Sequence, residues 1–380
     1  MSDGDALLDA IARDPEDPAP YLVYADWLQA RGDPRGELIA LQGAGDDHPG
    51  DHRITDAALD HLRAHAASYL GVLAPFVIDP EGGHYLDLRW RHGFIGSATL
   101  HAWGRSRRHS TFATLHSISP AEALAELLQL ESARFMARLS IGPHYKDRNG
   151  QFVSDILADV TAPSLRSLWL GVSGGLFDPW SFELPDLGPI WRRMSDLREL
   201  VVHALPSSFG ALDLPALRTV VLALPPRGVS ATLLRELAIA RWPRLESFQL
   251  WHGDAVTQAG IVLGRGDLVT LGDLGFHNCT SADGLCELLA RSPLAPQLHH
   301  LSFARSAFTD AGALALLTHR DAFPSLTTLD VSATCVSQES VRRLAAVVPS
   351  MIARDLRRGS AVAVALIAPI DDDDDAVEGD

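Results

Sequence analysis

The chain has 380 residues, of which 47% are hydrophobic and 21% are charged, and its formal net charge is −16. This composition excludes a wholly disordered protein, and the negative charge argues against a nucleic acid as the main partner, because binding to phosphates requires an excess of positive charge. The longest apolar stretch, residues 361 to 370, is shorter than the roughly 20 residues of a membrane-spanning helix.

The cysteines and the first residues of the chain indicate its compartment. Cys279, Cys286 and Cys335 form no CxxC pair and no regularly spaced framework. The chain begins with acidic residues, whereas a secretory signal needs a basic start followed by an apolar run. We therefore expect a cytoplasmic protein with reduced thiols and no membrane association. Lys146 is the only lysine, so arginine carries the basic charge, as is typical of a GC-rich bacterial coding sequence.

Residues 1 to 42 are predicted to form a small module of three short helices. Asp17-Pro18 and Asp33-Pro34 each place a capping side chain before a proline, which is a strong helix start. Gly43 is predicted to end the third helix. The second helix is apolar nearly all round, so we expect it to be packed against another part of the protein; its apolar residues are Tyr21, Leu22, Val23, Tyr24, Ala25, Trp27 and Leu28. Asp26 lies within this run and is predicted to pair with Arg31 or Arg35, because an unpaired buried carboxylate is costly.

The same module resembles the bacterial repeat-companion domain, which stands at the N-terminus of bacterial proteins that continue into repeats. The matching residues are Asp14-Pro15, Asp17, Tyr24 to Leu28, Arg31 to Asp33, Glu37 to Ile39 and Leu41-Gln42. The resemblance implies no catalytic activity. We expect the module either to cap the N-terminal end of a repeat array or to dock independently.

Residues 43 to 130 are predicted to be a linker and transition region. Residues 43 to 55 are rich in Gly, Asp and His and are typical of a loop. Residues 56 to 70 return to a helical pattern, and residues 85 to 100 alternate apolar and polar side chains, which predicts two strands with a turn near His92-Gly93.

A repeated LxxLxL pattern dominates the rest of the chain. Its copies begin at residues 165, 197, 217, 245, 271, 298 and 326, and a degenerate copy begins at Met136. From residue 217 onward the copies are 28, 26, 27 and 28 residues apart. In such a pattern the spaced apolar residues point into a core shared with the neighbouring copies, on short parallel strands. Helical patterns follow the strands, for example at residues 281 to 290 and 309 to 318.

These repeats resemble the ribonuclease-inhibitor-like class of leucine-rich repeat, in which each unit contains a strand and a helix. The predicted fold is therefore α/β: a leucine-rich-repeat solenoid over residues 131 to 370 with parallel strands on the concave face and helices on the convex face, preceded by the helical module. Cys279 lies at a turn position of the repeat, where it is expected to be structural and not a nucleophile. Residues 371 to 380 form an acidic tail with seven carboxylates, which we expect to be disordered.

The outward strand positions of the repeats supply the candidate binding residues. They are Trp169, Glu199, His203, Gln249, Trp251, Asp273, His277, His300 and Asp330. Large aromatic residues concentrate where interfaces are anchored, so Trp169 and Trp251 are the proposed anchors for a protein partner. The alternative is that both rings pack only on adjacent side chains.

Two other functions have weaker sequence support. An arginine run at residues 89 to 108 could contact nucleic acid or phosphate, or could pair with acidic groups of the same chain. His61 and His65 lie one helical turn apart, as do His48 and His52, but no third ligand and no HExxH pattern accompany them, so they are interpreted as solvated surface histidines.

No catalytic motif is present in the sequence. We therefore expect a non-catalytic scaffold for protein–protein interaction that uses no cofactor and no metal. The sequence does not identify the partner, the pathway or the oligomeric state.

Overall fold

A computed structural model describes residues 3–75, 86–100, 118–142, 155–159, 162, 164–171, 183–224, 229–251 and 256–357. Structural statements below concern these ranges. The acidic tail, the apolar stretch at 361 to 370 and the arginines at 105 to 108 lie outside them, so the expectations for those segments stay predictions.

The strands of the described residues form a long ladder. In chain order they are β1 (Leu86–Arg91), β2 (Phe94–Leu100), β3 (Arg138–Ile141), β4 (Ser167–Leu170), β5 (Glu183–Asp186), β6 (Glu199–Val202), β7 (Leu205–Ser208), β8 (Thr219–Ala223), β9 (Ser247–Trp251), β10 (Asp273–His277), β11 (His300–Ser302), β12 (Thr328–Asp330) and β13 (Ser350–Ile352). Eleven of them make one sheet in the order β1-β2-β3-β4-β6-β8-β9-β10-β11-β12-β13, while β5 and β7 form a second sheet. Only the β1–β2 pair is antiparallel among these pairs.

The apolar repeat position explains why the strands stack in register. The second apolar residue of each LxxLxL copy pairs with its counterpart on the next strand, and all of these residues are at most 1% exposed: Leu139, Leu168, Leu200, Val220, Phe248, Leu274, Leu301 and Leu329. Each unit buries its apolar face only by lying against its neighbours. The chain is thus a leucine-rich-repeat solenoid, and the predicted fold class is confirmed.

Helices cover the core on the side opposite the open face of the sheet. They span Pro120–Gln129, Ile156–Asp159, Gly188–Trp191, Ala231–Ile239, Val256–Leu263, Ala282–Ala290, Asp310–Thr318 and Gln338–Ala345. The prediction of a helix in every unit is nevertheless wrong. Residues 203 to 218 contain no helix, and their strand β7 pairs with β5 instead. The physical reason is the short spacing of this unit, 20 residues from Leu197 to Leu217, which leaves room for an extended segment but not for a helical crossover.

The N-terminal module has the three predicted helices, α1 (Asp3–Arg13), α2 (Ala19–Gln29) and α3 (Pro34–Asp47). Asp33 caps α3 by accepting a hydrogen bond from the backbone of Arg35 at 2.9 Å. Gly43 does not end α3, because the helix continues to Asp47. The predicted loop at residues 43 to 55 is therefore wrong: it shrinks to a turn at 48 to 51, and the helices α4 (His52–Ala64) and α5 (Ala66–Leu70) follow.

Helix α2 is buried on one face only. Tyr21, Tyr24, Ala25 and Leu28 are buried, whereas Leu22 is 49% exposed and Val23 is 55% exposed. The expectation that α2 packs against another part of the protein is met through this one face. Asp26 is exposed, and the guanidinium of Arg31 lies over the Trp27 ring while that of Arg35 binds Gly93 and Ser132. The predicted pairing of Asp26 with either arginine is wrong.

The module packs on the β1–β2 hairpin at the N-terminal end of the sheet. His92 and Gly93 form the predicted turn with φ angles of 49° and 77°. A Cβ at Gly93 would lie 2.4 Å from the side chain of Ile39 in α3, so this close packing requires glycine. Leu8, Ile11, Tyr21, Tyr24, Ala25, Leu28 and Ile39 of the module share one apolar cluster with Phe94 and Phe135. The module is thus joined to the hairpin by a shared apolar core.

Candidate functional site

The face of the sheet opposite the leucine core is called the concave face below. Side chains alternate along a strand, so residues on either side of a core leucine point to this face. Pairing in register places them in three rows across the sheet. The first row contains Arg138, Ser167, Glu199, Thr219, Ser247, Asp273, His300 and Thr328, and the second contains Ser140, Trp169, Val201, Val221, Gln249, Gly275, Ser302 and Asp330. The third row is short and contains Ala223, Trp251 and His277.

Trp169 lies in a first cluster of polar contacts at the N-terminal half of this face. Its indole Nε1 donates a hydrogen bond to Oε2 of Glu199 at 3.1 Å. The hydroxyl of Ser167 donates to the same carboxylate oxygen. The guanidinium of Arg138 lies 5.4 Å from the centre of the Trp169 ring, a distance typical of a cation–π contact. The ring is thus held on two sides and remains half-buried.

Trp251 lies in a second cluster on β9, β10 and β11. Its ring stacks on His277 with centroids 4.4 Å apart. Nε2 of His277 is 2.7 Å from Oε1 of Gln249, and Nε2 of Gln249 donates to the hydroxyl of Ser247 at 3.1 Å. Because that amide oxygen accepts, the network assigns the proton of His277 to Nε2.

The second cluster continues from Ser247 to a carboxylate–imidazole pair. The Ser247 hydroxyl donates to Oδ2 of Asp273 at 2.8 Å, and Nδ1 of His300 lies 2.7 Å from Oδ1 of Asp273. We call this connected set, His277–Gln249–Ser247–Asp273–His300, the polar chain. It runs over strands β9, β10 and β11. Through Gln249 it fixes the orientation of the His277 ring, on which the Trp251 ring stacks.

The ends of the polar chain differ in charge. The hydrogen bond with Asp273 raises the pKa of His300 above its usual value. Burial alone would raise the pKa of Asp273, but the hydrogen bonds from His300 and Ser247 outweigh it and lower that pKa. Burial lowers the pKa of His277 to about 4, so this ring is neutral at pH 7. Charge on the second cluster is therefore confined to the Asp273–His300 end.

Two of the nine candidate residues are placed differently from the others. His203 is only 3% exposed, and burial lowers its pKa to about 4. The prediction that it is exposed to a partner is wrong. At this point the chain after β6 passes close to the end of β4: a Cβ at Gly171 would be 2.5 Å from the His203 carbonyl oxygen. Asp330 is on the concave face, but its Oδ1 accepts a hydrogen bond from the backbone of Ser332 at 2.8 Å, which makes it a turn residue as well.

Sequence reasoning missed three residues that shape this face: Ser247, Arg138 and Gly275. A Cβ at Gly275 would lie 1.8 Å from Oε1 of Gln249 and 2.4 Å from Nε2 of His277. The missing side chain therefore provides the space for the hydrogen bond between them. A glycine inside a strand is the sequence signal that marks such a close approach.

The histidine pair at the C-terminal end of α4, His61 and His65, shows no metal-site geometry. His61 and His65 have ring centroids 4.6 Å apart, but Nε2 of His61 is 2.9 Å from the carbonyl of Pro34 and 3.2 Å from the hydroxyl of Tyr69. The His61 side chain is 9% exposed, so the expectation of a solvated residue is wrong for it. Within the described ranges no group of three or more His, Cys, Asp or Glu side chains is arranged to hold a metal ion.

Other sequence features have structural roles. Arg91 of the arginine run pairs with Glu16 of the N-terminal module, as one of its alternatives predicted. Cys279 and Cys286 are buried, and burial raises the pKa of the Cys286 thiol. Among the helices of the described part of the chain, none combines the length and apolar character that crossing a bilayer requires.

Comparisons with known proteins give distant similarities. No family model matches the chain, and no curated protein matches it. A solved structure of a Bacteroides fragilis protein is similar with 17% identity and a TM-score of 0.49, covering 78% of this chain and 73% of that one. A Listeria monocytogenes internalin is similar with 14% identity and a TM-score of 0.31, covering 61% of this chain and 66% of that one. The assignment of the fold rests on the strand register and the buried leucine ladder of the chain itself.

Proposed function

We propose that this chain is a non-catalytic scaffold that recognises a protein partner through the concave face of its leucine-rich-repeat solenoid. We further propose that it acts in the bacterial cytoplasm and that residues 1 to 42, which resemble the repeat-companion domain, cap the array. The partner-binding residues are Trp169, Glu199, Gln249, Trp251, Asp273, His277, His300 and Asp330, with His203 left out because it is buried.

The observation that carries the proposal is the fixed orientation of the two tryptophan rings. Trp169 is bound by Glu199 and flanked by Arg138, and Trp251 is stacked on a histidine that the polar chain holds in place. A side chain that is already ordered loses little conformational entropy when a partner binds. Tryptophan is also among the residues that most often dominate interface energetics.

The spacing of the rings suits a single segment of a partner. Trp169 is on β4 and Trp251 is on β9, three strand positions away in the sheet order. Since neighbouring strands are about 4.8 Å apart, the rings are separated by roughly 15 Å across the sheet. Val201, which is 4% exposed, and the partly exposed Val221 lie between them on the same face. A partner that contacts both rings would also cover Val221.

The test is affinity capture from the source-cell lysate with the wild-type protein and a Trp169→Ala/Trp251→Ala variant. A matched control is Ile239→Ala/Leu314→Ala, since Ile239 is 75% exposed and Leu314 is 54% exposed on helices away from the concave face. We expect one protein to be recovered by the wild type and by the control, and to be lost by the tryptophan variant. Titration of that purified protein should then show an affinity loss of about tenfold or more for the tryptophan variant.

Circular dichroism and thermal unfolding must show that all three proteins are folded alike. Equal recovery by the tryptophan variant would move the interface to another surface, and the proposal would be wrong.

A further inference from the structure

A cavity of ≈ 380 Å³ opens between the N-terminal module, the β1–β2 hairpin and strand β3. Its apolar wall includes Tyr21, Trp90, Phe94 and Phe135. Phe94 and Phe135 meet edge to face with centroids 4.8 Å apart, and Tyr21 lies 6.0 Å from Phe135 in the same manner. The volume lies within the usual range for small-ligand pockets, about 300–1,000 Å³. It is large enough for one apolar side chain or ring.

The opposite wall carries polar groups in a row across three strands. Arg89 on β1 pairs with Ser97 on β2, and Ser97 pairs with Arg138 on β3, so the three residues lie side by side on the concave face. With strands about 4.8 Å apart, the two arginine positions are roughly 10 Å apart, with the serine between them. The Ser97 hydroxyl has no hydrogen-bond partner within the described ranges. A carboxylate placed over Ser97 would be within reach of the Arg138 side chain.

The charges around the cavity favour an anion. Glu16 also lines it, but its carboxylate is bound by Arg91. Asp46 lies at the rim with its side chain 70% exposed, so water screens its charge. Arg138 has no carboxylate within ion-pair distance among the described residues, and its guanidinium lies 5.4 Å from the centre of the Trp169 ring. Arg91 and Glu16 therefore offset each other, and Arg138 is available to an anion in a chain whose net charge is −16.

We infer that this cavity binds a carboxylate carried on an apolar group. The apolar body would lie against the Phe94–Phe135 wall, and the carboxylate would accept hydrogen bonds from Arg138 and Ser97. Arginine suits this role because its planar guanidinium donates two parallel hydrogen bonds to a carboxylate.

The cavity is continuous with the tryptophan face, since Arg138 contacts both the cavity and Trp169. The carboxylate therefore belongs to the segment of the partner protein that lies along the concave face, either as an acidic side chain or as a chain terminus. This assignment of the source rests on the proposed function, whereas binding of the carboxylate itself does not.

The test uses isolated compounds and the full-length protein. N-acetyl-phenylalanine supplies a terminal carboxylate on a phenyl body, N-acetyl-phenylalanine amide is its neutral counterpart, and N-acetyl-glutamyl-phenylalanine amide supplies a side-chain carboxylate. Binding is followed by the NMR shift of the Trp90 indole N–H. We expect at least one of the acids to bind with a Kd of about 1 mM, as befits a ligand of this size, and the neutral amide to bind about tenfold more weakly. The stronger of the two acids identifies the source of the carboxylate.

Three variants assign the binding to the cavity. Arg138→Gln should weaken the binding of the acids about tenfold, and Arg138→Lys should lose less because it keeps the charge. Ser97→Ala tests the same site without changing charge. Arg193→Gln is the control, since Arg193 is exposed and does not line the cavity. Raising the salt concentration should weaken the binding of the acids but not of the amide.

Equal binding of acids and amide, unchanged binding in the folded Arg138→Gln variant, or no binding at all would each overturn the inference. The outcomes are separable from the proposed function. Partner capture that depends on the tryptophans, with no acid binding, would leave the proposed function standing and remove this site. Acid binding that depends on Arg138, with no partner recovered, would support the carboxylate site and leave the proposed function without support.

Discussion

Replacing Arg35 by methionine should loosen the N-terminal module from the sheet. Arg35 is 7% exposed, and its guanidinium donates to the carbonyl oxygen of Gly93 at 2.8 Å and to the hydroxyl of Ser132 at 2.9 Å. It also lies 4.7 Å from the ring of Phe94. Burial lowers the pKa of this guanidinium, and within the described ranges no carboxylate lies close enough to form an ion pair with it. The side chain therefore links α3 to the hairpin through hydrogen bonds and ring contacts alone.

The expected loss follows from these contacts. Each hydrogen bond from a charged donor contributes about 1.5–3 kcal/mol, and the contact with the Phe94 ring adds about 1 kcal/mol. Removing the buried charge returns part of that energy, because the guanidinium no longer has to be desolvated. Methionine keeps most of the apolar volume. We expect the Arg35→Met protein to lose about 3 kcal/mol of unfolding free energy at the N-terminal end, on the scale of a broken buried pair.

The assay is urea unfolding monitored by circular dichroism, combined with proteolysis to detect early release of residues 1 to 42. The control is Arg63→Met, because the Arg63 side chain is 56% exposed and pairs with Asp60 at the surface at 3.1 Å. Such a surface pair contributes less than about 1 kcal/mol. If Arg35→Met and Arg63→Met were equally stable, the module would not depend on the arginine link, and the reasoning would be refuted.

Two further predictions concern the polar chain. Gly275→Ala should displace the flexible amide of Gln249 from His277, so partner affinity should fall by about fivefold or more while stability changes by less than about 1 kcal/mol; an unchanged affinity in titrations would contradict the role of that hydrogen bond. Asp273→Asn should lower the pKa of His300 in an NMR titration. Since the pair raises the pKa of His300, its stabilisation is present below the unfolded value of about 6.5 and is lost as the pH rises through the folded value; an unshifted His300 would contradict it.

Much of the fold could be predicted from the spacing of the repeats and from the alternation of side chains along each strand. The LxxLxL copies fix both the register and the face, because a two-residue period and a shared core leave one arrangement of the strands. The outward placement of Trp169 and Trp251 follows from the same period. The absence of a helix between β6 and β8 was harder to predict. It results from the pairing of this short unit with β5 and not from local helix propensity.

Contacts between units were not predictable from one sequence. His277 and Gln249 meet across 28 positions of the chain, and their hydrogen bond depends on the absence of a side chain at Gly275. His203 is buried although its place in the repeat pattern predicts exposure. Such effects arise from distances of a few ångströms between neighbouring units, which a pattern of residue types does not contain.

The ladder of paired strands has a consequence for how this protein can change in length. Each strand contacts only its two neighbours in the sheet, and the N-terminal end is covered by a module that packs on the β1–β2 hairpin and on α4. Duplication of a whole unit between β12 and β13 would add about 4.8 Å to the sheet without changing either tryptophan environment. Duplication between β6 and β8 would instead move the two rings apart by the same step. Addition of units can therefore increase the distance between the two tryptophans in steps of about 4.8 Å, while both ends of the array keep their structure.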